Sequence, residues 1–211
     1  MKNIVVLVSG GGTNLQALID AQNRGEIVGG KISCVIASND KAYALERAKQ
    51  NGIATKIIRK KDFESQEEYD NSLIALLHEV EADLVVLAGF MTIIGESVSR
   101  EFENRIINIH PSLIPSFCGV GCYGLHVHEK ALDRGVKLTG ATVHFVNEIC
   151  DGGPIILQKA VEVLPDDTSE SLQRRVMEQA EWKILPQAVS LFCQDRLKVE
   201  NNKVIITEDN T

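Results

Sequence analysis

The chain is predicted to fold as α/β: one domain in three layers, with a mostly parallel, twisted sheet and helices on both faces. Three observations predict it. Strand-like and helix-like segments alternate with short connections. The strand-like segments are unbroken apolar runs rich in Val and Ile, the pattern of strands buried on both faces. The length of 211 residues, 44% of them hydrophobic, suits one domain with a sizeable core and is short for two.

Ile4 to Val8 is the first such run, and Ser9-Gly10-Gly11-Gly12 is its turn. A helix starts at Thr13, with apolar residues at helical spacing through Ile19. Ile32 to Ala37 is the second strand, followed by Ser38-Asn39-Asp40 and a helix from Tyr43 to Gln50. Ala54 to Ile58 is a short third strand, Glu67 to Val80 a helix, Leu84 to Ala88 a fully buried strand and Ile106 to Ile109 a fifth. The crossovers between parallel strands should be right-handed. After residue 136 the pattern changes. Lys137 to Val146 and Pro154 to Val163 read as longer strands joined by Asn147 to Gly153. Ser169 to Phe192 reads as one helix, interrupted or kinked near Pro186. Leu197 to Val199 and Val204 to Ile206 suggest a terminal hairpin around Asn201-Asn202, and Thr207 to Thr211 are expected to fray. No linker or repeat divides the chain, so residues 1–211 form a single domain with a distinct C-terminal region.

Bulk chemistry narrows the function. A net charge of -7 argues against broad binding to nucleic acid or anionic membranes, but leaves room for a small anionic substrate held by backbone amides. No apolar run approaches the roughly 20 residues of a spanning helix. The apolar stretch from Ile4 to Val8 is too short for a secretory signal, so a cytoplasmic location is expected. The five cysteines, Cys34, Cys118, Cys122, Cys150 and Cys193, are odd in number and scattered, so disulfides are not expected. Cys34 reads as a small core residue.

The turn Ser9-Gly-Gly-Gly-Thr13-Asn14 lies where open α/β sheets bind ligands, at the carboxyl end of a strand. Glycines let the backbone approach an anion, and a helix N-terminus offers unpaired N–H groups. A dinucleotide fingerprint would need glycine where Leu15 stands, and a P-loop would need a lysine that is missing. These residues alone leave open a phosphate site and a plain turn capped by Thr13.

Asn108, His110 and Asp151 form the second constellation. Asn108 and His110 are two apart, so on an extended strand they point the same way, and Pro111 forces the chain out of the sheet. An amide, an imidazole and a carboxylate can donate to a developing oxyanion, shuttle a proton and hold the shuttling ring. Each residue singly also reads as a cap, a packing residue or a turn residue, so the case rests on their meeting in space. Cys118 and Cys122 with His126 and His128 offer metal ligands, but the spacing is too compressed for a zinc finger. With Phe117, Gly119, Gly121 and Gly124 they read as a glycine-rich flap before a helix near Leu125.

Taken together these motifs resemble one family over essentially the whole chain: the phosphoribosylglycinamide formyltransferases. The resemblance is carried in order by Val8-Ser-Gly-Gly-Gly-Thr-Asn-Leu-Gln16, Leu87-Ala-Gly-Phe-Met91, Asn108-Ile-His-Pro-Ser-Leu-Ile-Pro115, Val143-His-Phe-Val146 and Asp151-Gly-Gly-Pro154. It implies a formyltransferase fold with a Rossmann-like N-terminal half. It implies formyl transfer from 10-formyltetrahydrofolate, a co-substrate, to glycinamide ribotide, with no metal. By the resemblance, Gly12, Thr13, Asn14 and Glu181 meet the ribotide. Gln66, Met91, Thr92, Ile93, Ile94 and Asn108 meet the folate, the 91–94 segment largely through backbone atoms. Asn108 and His110 are the catalytic pair, and Asp151 is the carboxylate that raises the pKa of the histidine. Residues 1–108 would form the phosphate-binding half, and 109–211 the folate-binding and catalytic half. Partners would be small molecules, with no nucleic acid and no membrane, in a monomer or homodimer.

The chain departs from the family pattern in places. Gln66 and Thr92 stand where arginine is found in some members, and Trp182 where many have histidine. The loop from Phe117 to Tyr123 is longer than in the shorter members. The helix from Ser169 carries one extra residue, which leaves Glu178 and Gln179 as alternatives to Glu181. A formyltetrahydrofolate hydrolase shares the catalytic core but usually has an extra N-terminal domain. A methionyl-tRNA formyltransferase would need a longer C-terminal domain and a more basic surface. A non-catalytic binding module would keep the glycine turn without needing Asn108, His110 and Asp151 together.

Overall fold

The computed structural model describes residues 1–208. Seven strands form one sheet in the order β3-β2-β1-β4-β5-β6-β7. These are β1 (Lys2–Val8), β2 (Gly30–Ala37), β3 (Ala54–Ile57), β4 (Leu84–Leu87), β5 (Ile106–His110), β6 (Leu138–Phe145) and β7 (Ile155–Glu162). The first five are parallel, β6 runs antiparallel to them, and β7 pairs antiparallel with β6. The strand order reverses between β1 and β4, which opens a crevice at their carboxyl ends.

Alternation along β1 explains the three layers. Ile4, Val6 and Val8 belong to one core with α1 (Thr13–Asn23), α2 (Ala44–Gln50), α5 (Leu125–Arg134), α6 (Ser169–Val176) and α7 (Trp182–Cys193). Val5 and Leu7 belong to a second core on the other face, with α3 (Gln66–Glu79) and α4 (Glu96–Glu101). Because β1 is apolar on both faces, it has to lie centrally. The predicted elements recur with ends shifted by a residue or two. The helix α4 is an addition: at six residues it is too short to show a helical period.

The last long helix differs from expectation. It is continuous from Ser169, but its irregularity is a π turn at Met177–Glu181, upstream of Pro186. Proline has no N–H and crowds the carbonyl four residues back, at Trp182. The wide turn just before that point absorbs one extra residue without breaking the helix. It leaves Glu178 and Gln179 in solvent and turns Glu181 inward. The terminal hairpin, β8 (Leu197–Glu200) and β9 (Lys203–Ile206), turns through Asn201 and Asn202, both at positive φ. Thr207 does not fray: its N–H donates to the Arg196 carbonyl at 2.9 Å and its carbonyl accepts from Arg196 Nε at 2.8 Å. The rest of that expectation, 209–211, lies outside the described residues.

The connection from β6 to β7 depends on close backbone approach. A Cβ at Gly153 would lie 1.9 Å from the Phe145 carbonyl oxygen, backbone that cannot yield cheaply. Gly153→Ala is therefore expected to lower stability by roughly 2 kcal/mol or more, read as a fall in the urea midpoint; an unchanged midpoint would show that the turn has slack.

Candidate active site

The glycine turn joins β1 to α1. Gly12 is the residue preceding the helix, at φ 72, and no side chain caps the first turn. The plain reading of Thr13 as a cap is thereby replaced: Thr13 is the first helical residue, and the helix N-terminus is open. A Cβ at Gly12 would lie 2.6 Å from Ala44 Cβ, so both the positive φ and the packing on α2 require glycine. Asn14, nearly buried, donates from Nδ2 to Glu181 Oε2 at 2.6 Å. The π turn thus delivers a carboxyl to the first turn of α1. Of the three candidates in that helix, only Glu181 is buried there.

The second cluster is set by sheet register. Antiparallel pairing places Asn108 of β5 opposite His144 of β6, and His110 opposite Thr142. Asn108 Nδ2 lies 3.2 Å from His144 Nε2. The His144 Nδ1–H donates to the Phe145 carbonyl at 2.8 Å, and its Nε2 faces both the Asn108 amide and the Asp151 carboxylate. Asp151, at φ 55 in the turn after β6, puts its carboxylate between two imidazoles. Oδ2 is 3.5 Å from His110 Nδ1, and Oδ1 is 3.6 Å from His144 Nε2. The Gly119 N–H donates to Oδ2 at 2.8 Å. The three residues singled out in the sequence therefore do meet, in a chain of contacts from Asn108 through His144 and Asp151 to His110, and to His144 sequence reasoning assigned no role.

Two opposing effects set the pKa of His110. The Asp151 carboxylate pushes the His110 pKa up, but burial of a ring only 4% exposed pushes harder, and the pKa lies below the ordinary 6.5. His110 is thus a neutral base at neutral pH, not a standing cation. Burial raises Asp151 itself, but the His144 ring, the charge of His110 and the Gly119 N–H outweigh it, and it lies below the ordinary aspartate value.

The segment expected to meet folate runs along the rim. The Met91 N–H donates to Ser9 Oγ at 2.8 Å, tying the end of β4 to the end of β1. Met91 and Ile93 are exposed, while Ile94 packs against the second core. Thr92 is half-buried. Gln66 Nε2 donates to Asp70 Oδ1 at 2.7 Å and to the Ile93 carbonyl at 3.3 Å. Asp70 in turn accepts the Gly95 N–H at 3.0 Å. Gln66 therefore braces this segment from beneath.

The glycine-rich flap closes on these four residues. The Phe117 carbonyl lies 2.9 Å from His110 Nε2, and Phe117, Gly119, Gly121 and Gly124 all have positive φ. Three of the four candidate metal ligands of this region have other partners. Cys118 Sγ faces the Pro115 carbonyl, Cys122 Sγ accepts from Lys130, and His126 pairs with Glu129. His128 is fully buried in α5, where burial lowers its pKa to about 4.

Comparison with known proteins agrees with this geometry. The phosphoribosylglycinamide formyltransferase of Escherichia coli (strain K12) is 43% identical over 200 residues, covering 95% of this chain and 91% of that one. That of Haemophilus influenzae is 42% identical over 202 residues, covering 96% and 92%. The crystal structure of glycinamide ribonucleotide transformylase 1 from Symbiobacterium toebii matches with a TM-score of 0.92 at 42% identity, covering 99% of this chain and 95% of that one. The description Formyl transferase matches residues 2–189, nearly the whole sheet and its helices, and the chain belongs to that family.

Proposed function

We propose that this chain transfers the formyl group of 10-formyltetrahydrofolate to the amine of 5'-phosphoribosylglycinamide in purine synthesis, giving the N-formyl ribotide and tetrahydrofolate. The observation that carries the reading is the chain of contacts through Asn108, His144, Asp151 and His110, set at the end of the strand next to the one that leads into the folate segment. The names of the relatives supply the acceptor and the group transferred, and the family resemblance supplies the folate donor.

The chemistry follows from the side chains. The substrate amine attacks the formyl carbon. A C–N bond forms, and the carbonyl electron pair moves onto oxygen. One Asn108 N–H is occupied by His144, and the other donates to that oxyanion. When substrate displaces the Phe117 carbonyl, the ring proton of neutral His110 moves from Nε2 to Nδ1, beside Asp151, and the freed Nε2 takes the proton that the attacking nitrogen must lose. It then delivers that proton to the folate nitrogen as the old C–N bond breaks. Asp151 matters most between those steps, when His110 is a cation in a buried site. Gly12, Thr13 and Asn14 hold the ribotide phosphate at the α1 N-terminus, and Glu181 faces the sugar. Met91 to Ile94 and Asn108 line the folate, with Gln66 holding that segment rather than supplying charge.

Residues 1–108 chiefly serve the phosphate and 109–211 chiefly the chemistry, although one sheet runs through both. Met91 to Ile94 and Glu181 cross that division. Among the described residues no helix is long and apolar enough to cross a membrane. We place the reaction in the cytoplasm, in a monomer or homodimer that handles small molecules rather than nucleic acid.

Three outcomes follow. His110→Ala should lower kcat by about 10²–10⁴-fold while the thermal midpoint stays within a few degrees. A protein that only binds would keep its ligand affinity and have no turnover to lose. The kcat/KM profile should fall as pH drops through the His110 pKa, below 6.5. Removing the charge with Asp151→Asn should shift that acid limb to still lower pH as well as cut the rate, and a limb that stays in place would assign it to another group. Glu181, fully enclosed, has its pKa raised from 4.5 to about 7 by burial, against the donation from Asn14. A raised carboxyl pKa adds stability that is fully present below the unfolded value and lost as pH rises through the folded one. Urea unfolding should therefore show stability declining by up to roughly 3 kcal/mol between acid and slightly alkaline pH, and Glu181→Gln should flatten that slope. An unchanged slope would assign the decline elsewhere.

A further inference from the structure

The turn that is proposed to hold phosphate has an internal logic that depends on a residue outside it. Each of its four carbonyls is held by a separate donor. Ser9 O accepts from Asn39 Nδ2 at 2.8 Å, and Gly10 O from the Ala44 N–H at 3.1 Å. Gly11 O accepts from Arg47 Nε at 2.8 Å, and Gly12 O from the Gln16 N–H at 2.9 Å. With the carbonyls tied back, the N–H groups of Gly10, Gly11 and Gly12 have no acceptor among the described residues. Successive free backbone amides of this kind form an anion-binding concavity.

The weak point of such a nest is the Gly11–Gly12 peptide. Nothing lies within 4 Å of where a Gly11 Cβ would be, and Gly12 has no side chain to resist rotation. A flip of this peptide would swing the Gly11 carbonyl oxygen to where the Gly12 N–H now points, and set a partial negative charge against the anion. Among the described residues, Arg47 alone holds that carbonyl. Its guanidinium is itself fixed. Nη1 donates to Gln16 Oε1 at 3.1 Å, the group lies 5.2 Å from the Tyr43 ring centroid, and its Cδ packs 3.4 Å from the space a Gly12 Cβ would take. It is also the cation bonded directly to this turn, in a chain whose net charge of -7 repels phosphate at long range.

We infer that Arg47 is a positioning residue for the substrate phosphate: it locks the Gly11–Gly12 peptide with its N–H outward and places a positive charge behind the nest. This rests on the reading of the turn as the ribotide phosphate site.

The test compares wild type, Arg47→Ala and Arg47→Lys in steady-state formyl transfer to glycinamide ribotide and to its dephosphorylated riboside, with inorganic phosphate as inhibitor. With the ribotide, Arg47→Ala should raise KM by about tenfold to a hundredfold with kcat within about twofold, and lysine should recover part of the loss. With the riboside, wild type and Arg47→Ala should agree within about threefold, and the inhibition constant of phosphate should rise together with the ribotide KM. An equal loss with both acceptors would mean that Arg47 only supports the fold, and an unmoved ribotide KM would mean that the peptide needs no lock; either overturns the inference. Failure of the wild-type enzyme to use the ribotide at all would overturn the reading beneath it.

Discussion

The largely enclosed carboxylate of Asp151 sits between the rings of His110 and His144, and the rest of the site is arranged around it. A charge in that position is costly unless it is paired and hydrogen-bonded. Two imidazoles and the Gly119 N–H meet that need, and in doing so they bring three segments together: β5, β6 and the flap. The reversal of chain direction at β6 makes this possible. Antiparallel pairing sets His144 directly across from Asn108, and the β6–β7 turn, which leaves the sheet beside the start of β5, folds back so that Asp151 reaches His144 and His110. The approach of Gly153 to the Phe145 carbonyl then holds Asp151 in place.

Sheet order accounts for how the parts of a two-substrate site become neighbours. The glycine turn leaves β1, the segment proposed to meet folate leaves β4, and the proposed catalytic pair lies at the end of β5, and these three strands lie side by side. The bond from the Met91 N–H to Ser9 Oγ couples the first two strand ends directly. On the proposed function, ribotide and folate approach along adjoining strand ends, and the amine and the formyl carbon meet over β5. Proximity of this kind supplies much of the catalysis that no single side chain could.

How much of this could be read from the sequence depended on the range of the signal. The strands and the glycine turn were legible because local patterning decides them: an unbroken Val/Ile run has to be central, and three glycines before a helix have to be a turn. Asn108, His110 and Asp151 were legible as candidates because proline and glycine punctuation marks strand ends. His144 was not, because its part follows from the register of β5 on β6; alternation from Val143 to Phe145 hinted at it, but no local pattern fixes a register. The one-residue surplus in the last long helix was visible, while its placement as a π turn ahead of Pro186, and with it the choice of Glu181, needed the packed helix. The net pKa of His110 was not legible for a related reason. The carboxylate beside it can be guessed from sequence, but the depth of burial that outweighs it cannot.

The most direct measurement is the absorbance change as 10-formyltetrahydrofolate loses its formyl group, followed with and without glycinamide ribotide. The account predicts formyl loss only when the ribotide is present, because the proton that His110 carries has to come from the acceptor amine. Formyl loss at the same rate without ribotide would contradict it and make the chain a formyltetrahydrofolate hydrolase. No loss under either condition would contradict it in favour of a binding module on the same fold.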